Sequence, residues 1–332
     1  MSPSGVETHL RVSVIVPAYN AADTLPACLA ALRSQTVPLE PSDIVVVDDG
    51  STDGTAAVAE AFGVRLLRQE HENQATARNR GVRATSTDIV LFTDSDCEPA
   101  PDWVERMLDA FADPQVVGVK GCYRTRQPGL VPRFIQQEFE QKYEQLRVSR
   151  QLDFIDGYAA GYRRGQFLAL GGFDPRYPPV EDIELSFRAV RSGHVLGFAP
   201  DAVVFHRHRD NLVSYARTKA RAATLWVDVY RAHPTKLGND SRQPRLVVAQ
   251  ICLAAAILTL SPIAAVSLPV RRLVALLGVM FLGSTVPLAA RIAKDDAAVA
   301  LAAPILTFVR SASQVFGIVR GAARRFRVSA GS

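Results

Sequence analysis

The sequence predicts an α/β domain on a largely parallel sheet, followed by a C-terminal region of apolar helices, and three observations predict it. Short β-branched or apolar runs at Val12 to Val16, Ile44 to Val47, Val64 to Leu67 and Ile89 to Phe92 alternate with segments of helix length such as 23–35 and 53–62. That is the pattern of strands joined by crossover helices. Residues 246–270 hold no charged side chain, and after Arg271-Arg272 a second apolar stretch runs over 273–290. The 332 residues, 48% of them apolar, suffice for one sizeable α/β core with a substantial segment left over.

Each strand gains its meaning from the polar cluster at its carboxyl end. In an open α/β sheet, ligands bind outside the carboxyl ends of the strands. Val16 leads into Pro17-Ala18-Tyr19-Asn20, Val47 into Asp48-Asp49-Gly50-Ser51, and Phe92 into Thr93-Asp94-Ser95-Asp96. Taken singly, Asp49-Gly50 and Asp53-Gly54 read as turn dipeptides, and Asp94 or Asp96 as a cap of the helix around Trp103. Together they place polar groups along one edge. Two closely spaced carboxylates at a strand end supply hard oxygen ligands for Mg²⁺ or Mn²⁺, ions that usually also hold substrate phosphates. Neither a GxxxxGK[ST] loop nor a GxGxxG after the first strand is present, so a phosphate is expected to be held through the metal.

Downstream, Glu181-Asp182 open a helix whose Ile183, Leu185, Phe187 and Val190 supply apolar packing. A carboxylate there suits a general base that deprotonates an acceptor hydroxyl. A negative charge favoured by the helix dipole is the other reading. His206 comes after a strand-like Ala202-Val203-Val204-Phe205 run and is either a metal ligand or part of a basic turn with Arg207, His208 and Arg209. The helix expected over 132–148 carries Ile135, Phe139, Tyr143 and Leu146 on one face. It packs on the sheet or borders an acceptor site.

Charge separates the two regions. Residues 244–332 carry ten Lys or Arg against two Asp, which leaves residues 1–243 with a net charge of −3 out of a total of +5. The basic character belongs to the tail, so a nucleic-acid partner is not expected. Cys28, Cys97, Cys122 and Cys252 form no CxxC pair, which indicates neither a disulfide framework nor a structural zinc. The N-terminus lacks the basic stretch and apolar core of a signal peptide, and the N-terminal half is expected in the cytoplasm.

The two apolar stretches are each about long enough to cross a bilayer, which needs roughly 20 residues. Arg242 and Arg245 before the first, and Arg291, Lys294, Arg320, Arg324, Arg325 and Arg327 after the second, favour a hairpin with both ends cytoplasmic in a cell membrane. Arg271-Arg272 in the connection runs against that rule. A third stretch, Ala297 to Val309, runs into Arg310 and is an interfacial helix or a third span; two spans are preferred. The helix expected from Asn211 to His233 lies at the membrane surface or packs on the folded domain. The resulting division is an N-terminal tail (1–10), a catalytic domain (11–210), a juxtamembrane region (211–244), a membrane hairpin (245–292) and a C-terminal segment (293–332).

VSVIVPAYN (12–20), VVVDDGSTDGT (45–55), ATARNRG (75–81), FTDSD (92–96), GGFD (171–174) and VEDIELSFRAVRSGH (180–194) together resemble the family 2 glycosyltransferases of GT-A fold, over about residues 11–210. The resemblance implies a nucleoside-diphosphate sugar as donor, with UDP or dTDP expected. It also implies a divalent metal, Mg²⁺ or Mn²⁺, and an inverting single displacement onto a hydroxyl. Donor contacts would come from Pro17, Ala18, Tyr19, Asn20, Asp48, Asp49, Arg78, Asp94 and Ser95. Asp96, with Asp94 and His206, would serve the metal, and Asp182 would be the base with Glu181 as its neighbour. A QxxRW motif is absent after Glu181-Asp182, which favours transfer of one sugar over polymer extrusion. The membrane stretches suggest a lipid-linked or envelope-glycan acceptor. Two rival readings are a non-catalytic membrane scaffold on a nucleotide-sugar fold and a sugar nucleotidyltransferase.

Overall fold

The computed structural model describes residues 10–148, 152–236 and 245–329, with side chains described as far as Arg324. Residues 1–9 of the expected tail, Arg242, and the side chains of Arg325 and Arg327 lie outside the described residues. The elements run β1 (Val12–Ala18), α1 (Leu25–Arg33), β2 (Ile44–Asp48), α2 (Thr55–Ala61), β3 (Arg65–Arg68), α3 (Gln74–Arg83), β4 (Ile89–Thr93), β5 (Cys97–Pro99), α4 (Trp103–Asp109), β6 (Val116–Arg124) and α5 (Leu130–Val148). They continue with β7 (Ala159–Arg163), α6 (Arg164–Ala169), α7 (Glu181–Arg191), β8 (Val195–His206), α8 (Leu212–Ala232), α9 (Arg245–Ala264), α10 (Leu268–Ile292) and α11 (Ala297–Ser329).

β1, β2 and β4 are buried at every position, which is why they read as continuous apolar runs rather than alternating ones. The eight strands form one sheet in the order β3-β2-β1-β4-β7-β6-β8-β5. β3, β2, β1 and β4 are mutually parallel. β7 is antiparallel to both β4 and β6, so the sheet is mixed. Thr93 pairs with Ala159, which sets the start of β7 beside the end of β4. β6 runs parallel to β8, so both end on that same edge. β5 pairs antiparallel with β8, and Cys97 lies opposite His206. Asp94 and Asp96 cap no helix: β5 intervenes, and Asp102 stands at the N-cap of α4.

The chain forms two compact units. One holds the chain up to Arg124 together with Leu146–His206; the second holds Thr125–Gln145 and the chain from Arg207 onward. The first unit therefore differs from the contiguous segment 11–210, because most of α5 clusters with the C-terminal helices. The cause is visible in α5 itself. Phe134 and Ile135 are buried with Tyr215, Leu288, Ile292, Val299, Ala303 and Leu306 of α8, α10 and α11.

Among the described residues of the second unit, three helices are long and apolar enough to cross a membrane: Arg245–Ala264, Leu268–Ile292 and Ala297–Arg324. α9 and α10 expose Leu258, Ile263, Leu276, Val279, Met280 and Leu282. Arg271 donates to the carbonyls of Ala264 and Ala265 at 3.2 and 3.3 Å. It thereby closes the C-terminal carbonyls of α9, a local use for the arginine that the charge rule left unexplained. The third apolar stretch does not stop at Arg310, because that side chain finds partners inside the unit. Its guanidinium donates to Glu138 Oε1 at 2.9 Å and to Gln250 Oε1 at 2.5 Å. Lys219 reaches the other oxygen of Glu138 at 3.0 Å. Burial alone would raise Glu138, but Lys219 and Arg310 outweigh it and hold the carboxyl down to about 2. α8 packs along α11, with the Ala220 carbonyl against Gly317.

Candidate active site

The site lies on the edge where β1, β2, β4, β6 and β8 end and β7 begins. One side of it is made by two loops laced together. Asn20 adopts φ 48°, its amide donates to Ser51 Oγ at 2.9 Å, and its Oδ1 accepts the Thr52 amide at 2.9 Å. Asp48 Oδ1 accepts the Ser51 amide at 3.0 Å, closing the turn after β2. Asp49 is buried, and both of its oxygens are engaged: Oδ1 accepts from Gln69 Nε2 at 2.6 Å and the Glu72 amide at 3.0 Å, while Oδ2 lies 3.1 Å from His71 Nδ1. Tyr19 is half exposed and stacks on His71 at 3.9 Å. Pro17 and Ala18 belong to β1 itself.

Gly50 holds this corner together. Its φ is +75°, and a Cβ there would meet the His71 amide nitrogen at 2.7 Å. Gly50→Ala is expected to lower stability by ~1–3 kcal/mol through left-handed strain and displacement of the His71 loop. Thermal denaturation checks this, and an unchanged melting temperature would count against it.

Arg78 is the hub of the centre. α3 starts at Asn73, whose Oδ1 accepts the Thr76 amide at 3.1 Å. One turn later Arg78 points inward, 2% exposed. Its Nη2 donates to Asp94 Oδ1 at 2.6 Å and its Nη1 to Glu181 Oε1 at 2.8 Å. Gln74 Nε2 adds a bond to the same Glu181 oxygen at 2.7 Å. Glu181 is fully buried. Arg78, expected around the nucleotide base, ties the end of β4 to the start of α7. Asn79, the next residue, grips Phe173 from both sides, accepting its amide at 2.9 Å and donating to its carbonyl at 2.7 Å. That pins the GGFD turn onto α3.

Asp182 is held differently. Its Oδ2 accepts the Gly157 amide at 2.8 Å and its Oδ1 the Ile183 amide at 2.8 Å. Burial, then Glu181 and then Asp156, push its carboxyl up to about 7. A carboxyl with that value is near the optimum for proton transfer at neutral pH. Asp156 is itself paired with the buried Lys120.

Asp96 and His206 meet because β5 and β8 pair in antiparallel register: His206 Nε2 lies 3.7 Å from Asp96 Oδ2. With Cys97 they form a cluster whose donor atoms all lie within 4.8 Å of one another. Carboxylate and imidazole suit Mg²⁺ or Mn²⁺ better than a thiol does. Burial also keeps the Cys97 thiol well above its ordinary range. The donor set therefore fits a hard divalent ion on Asp96 and His206. Asp94 is not in the cluster; its Oδ1 belongs to Arg78. Ser95 is half buried in the turn between them.

Sequence reasoning missed the groups that orient His206. Its ring stacks on Tyr123 at 4.7 Å with 6° between planes, and Tyr123 stacks on Tyr158 at 3.5 Å. These tyrosines come from β6 and the approach to β7, and nothing in their local sequence marks them. Gln74 had a detectable signal, standing four residues before Arg78 on the same helix face.

Residues 13–170 match the model of glycosyl transferase family 2. This domain belongs to that family. The family 2 domain has a GT-A fold: a mannosyltransferase from Pyrobaculum calidifontis, solved with GDP-Man and Mn²⁺, superposes at a TM-score of 0.58 with 20% identity. That superposition covers 96% of this chain and 87% of the mannosyltransferase. Among curated proteins, the chain is 30% identical over 251 residues to the pre-mycofactocin glycosyltransferase of Mycobacterium tuberculosis, covering 70% of this chain. It is 29% identical over 210 residues to glycosyltransferase AglE of Haloferax volcanii, covering 60% of this chain and 67% of AglE. The chain spans about half the length of the pre-mycofactocin enzyme.

Proposed function

We propose that the chain is a membrane-anchored glycosyltransferase that moves one sugar from a nucleoside-diphosphate sugar to a hydroxyl acceptor with inversion. The observation that carries this reading is the division of labour on one sheet edge. Asp182, raised to about 7, follows Glu181, Asp96 pairs with His206, and Arg78 links Glu181 to Asp94. Asp182 would take the proton of the acceptor hydroxyl. The resemblance to family 2 favours one displacement. Asp96 and His206 would hold Mg²⁺ or Mn²⁺, which when bound neutralises charge on the leaving diphosphate. Arg78 holds Asp94 and Glu181 in place. The names and bound molecules of the relatives favour transfer over nucleotidyl chemistry or a non-catalytic scaffold.

The membrane reading rests on α9 and α10. A two-span hairpin is favoured over three crossings because Arg310 of α11 is bonded to Glu138, on a helix rich in charge. Carrying that pair into hydrocarbon would be costly. The hairpin reading puts the domain on the cytoplasmic face of a cell membrane, and a lipid-linked or envelope glycan acceptor follows from that placement.

The test is a screen of nucleotide sugars, with and without Mn²⁺, for thermal stabilisation of the detergent-purified protein and for release of nucleoside diphosphate. A metal-dependent hit for one donor is expected. Release of pyrophosphate from a nucleoside triphosphate and a sugar phosphate would favour the nucleotidyltransferase. Asp96→Asn is expected to lower the metal-dependent release by roughly 10²–10³-fold. Full turnover in that variant with chelator present would remove Asp96 from the metal site.

A further inference from the structure

We infer that Lys120 and Asp156 are positioning residues for Asp182: their ion pair clamps the segment before β7 onto β6, and so fixes both a hydrogen-bond donor and a negative charge beside the base. This inference rests on the proposed role of Asp182. It begins with a buried cation that the proposed reaction does not use. Lys120 lies within β6, which pairs with β7 on one side and β8 on the other, opposite Ala160 and Phe198. The residue is buried, and its ammonium is bonded to Asp156, which is buried as well. Taking two charges out of water costs about as much as their attraction returns, so an apolar pair in that place would hold the strands together equally well. The pair therefore needs a reason beyond stability.

Residues 154–157 are fastened to α7 and to β6 at once. On the α7 side, the Ile155 amide donates to Ser186 Oγ at 2.9 Å, Ser186 Oγ donates to the Asp182 carbonyl at 2.7 Å, and the Gly157 amide donates to Asp182 Oδ2 at 2.8 Å. On the β6 side, Lys120 holds Asp156, and its ammonium lies 5.3 Å from the centre of the Phe154 ring. Gly118 leaves the room that Ile155 fills, since a Cβ there would meet Ile155 Cδ1 at 2.8 Å. Gly157 itself passes close to Arg78: a Cβ on it would meet Nη1 at 3.1 Å. The amide that fixes Asp182 Oδ2 thus belongs to the residue directly after the one that Lys120 holds.

The same placement sets a charge. Asp182 feels Glu181 on its own helix, Asp156 on the segment before β7 and Arg78 on α3, and the phenol of Tyr162 on β7 feels Asp182 in turn. Glu181 is tied to Arg78 at 2.8 Å. Asp156 is tied to Lys120, whose ammonium favours its ionised form. An ionised Asp156 opposes ionisation of Asp182, which strengthens the base and helps it keep the proton that an acceptor hydroxyl gives up.

The test titrates Asp182 directly, in the full-length detergent-purified protein without substrate, through the infrared carbonyl band of its protonated carboxyl. Each protein is recorded against the same protein carrying Asp182→Asn, so that the band of this residue stands alone. In wild type the band is expected to vanish as pH rises through about 7. In Asp156→Asn it should vanish about one pH unit lower, because a negative charge has gone while Lys120 stays. In the double variant Lys120→Met with Asp156→Asn it should vanish between those two values. The double variant leaves neither charge buried without its partner, so it carries the test if the single variant does not fold. A purely structural pair would leave the midpoint where it is in wild type. An unmoved midpoint in the folded variants would overturn the inference and leave Asp182 as the base. Asp182→Asn releasing nucleoside diphosphate from UDP-glucose or GDP-mannose as fast as wild type would overturn the base reading, and the inference with it, even where the band moves.

Discussion

Asp182→Asn is expected to lower sugar transfer by ~10²–10⁴-fold while the protein still binds its nucleotide sugar. The amide keeps the shape of the side chain but has one acceptor oxygen where the carboxylate offers two, so it accepts from only one of the Gly157 and Ile183 amides, and it takes no proton. In the wild type, transfer should rise with pH through about 7, because the carboxyl must be ionised to act and its environment holds the proton up to that value. The same shift has a stability consequence of opposite sense. Between the ordinary aspartate range and about 7, the folded chain retains a proton that the unfolded chain has lost, so stability falls as pH rises through that window. Asp182→Asn should therefore lose this fall of stability with pH, measured by thermal denaturation across the window, while its acid limb in the pH–rate profile disappears. Full activity would transfer the role of base elsewhere.

Arg78→Met is expected to destabilise the domain by ~3–5 kcal/mol, because removing one partner of a buried ion network leaves the others charged and unpaired. Here two carboxylates lose their partner at once: Asp94, bonded at 2.6 Å, and the fully buried Glu181, bonded at 2.8 Å. The loss would be read as a fall in the denaturation midpoint. Arg78→Lys should recover only part of it, because a single ammonium replaces the planar fork that spans both acceptors. The double variant Arg78→Met with Glu181→Gln should be less destabilised than the sum of the single changes, since the buried charge left behind is then gone. Wild-type stability in Arg78→Met would refute the bridging role.

Much of this was legible in the chain. β1, β2 and β4 correspond to continuous apolar runs that need no tertiary information, and the polar clusters after them mark the ligand edge through strand polarity alone. The Asp182 position was legible because an acidic pair at a helix start has a local signature. The role of Glu181 was not. Its partner Arg78 lies 103 residues away, and only the fold brings the two together. Likewise, Asp96 and His206 were separate suggestions until the antiparallel register of β5 and β8 set Cys97 opposite His206.

The C-terminal region divides in the same way. Its apolar stretches and their lengths are properties of composition, so the linear chain already dictates that α9 and α10 are long and apolar enough to cross a membrane. It also dictates the chemistry lined up along β1, β2 and β4, because each of those signals lies within a few consecutive residues. Three outcomes needed the folded chain: where α5 clusters, how far α11 runs past Arg310, and which neighbours occupy Asp49. Each depends on partners distant in sequence. A buried charge such as Arg310, or a buried acceptor such as Asp49, is tolerable only where such a partner arrives, and a linear reading contains no term for that arrival.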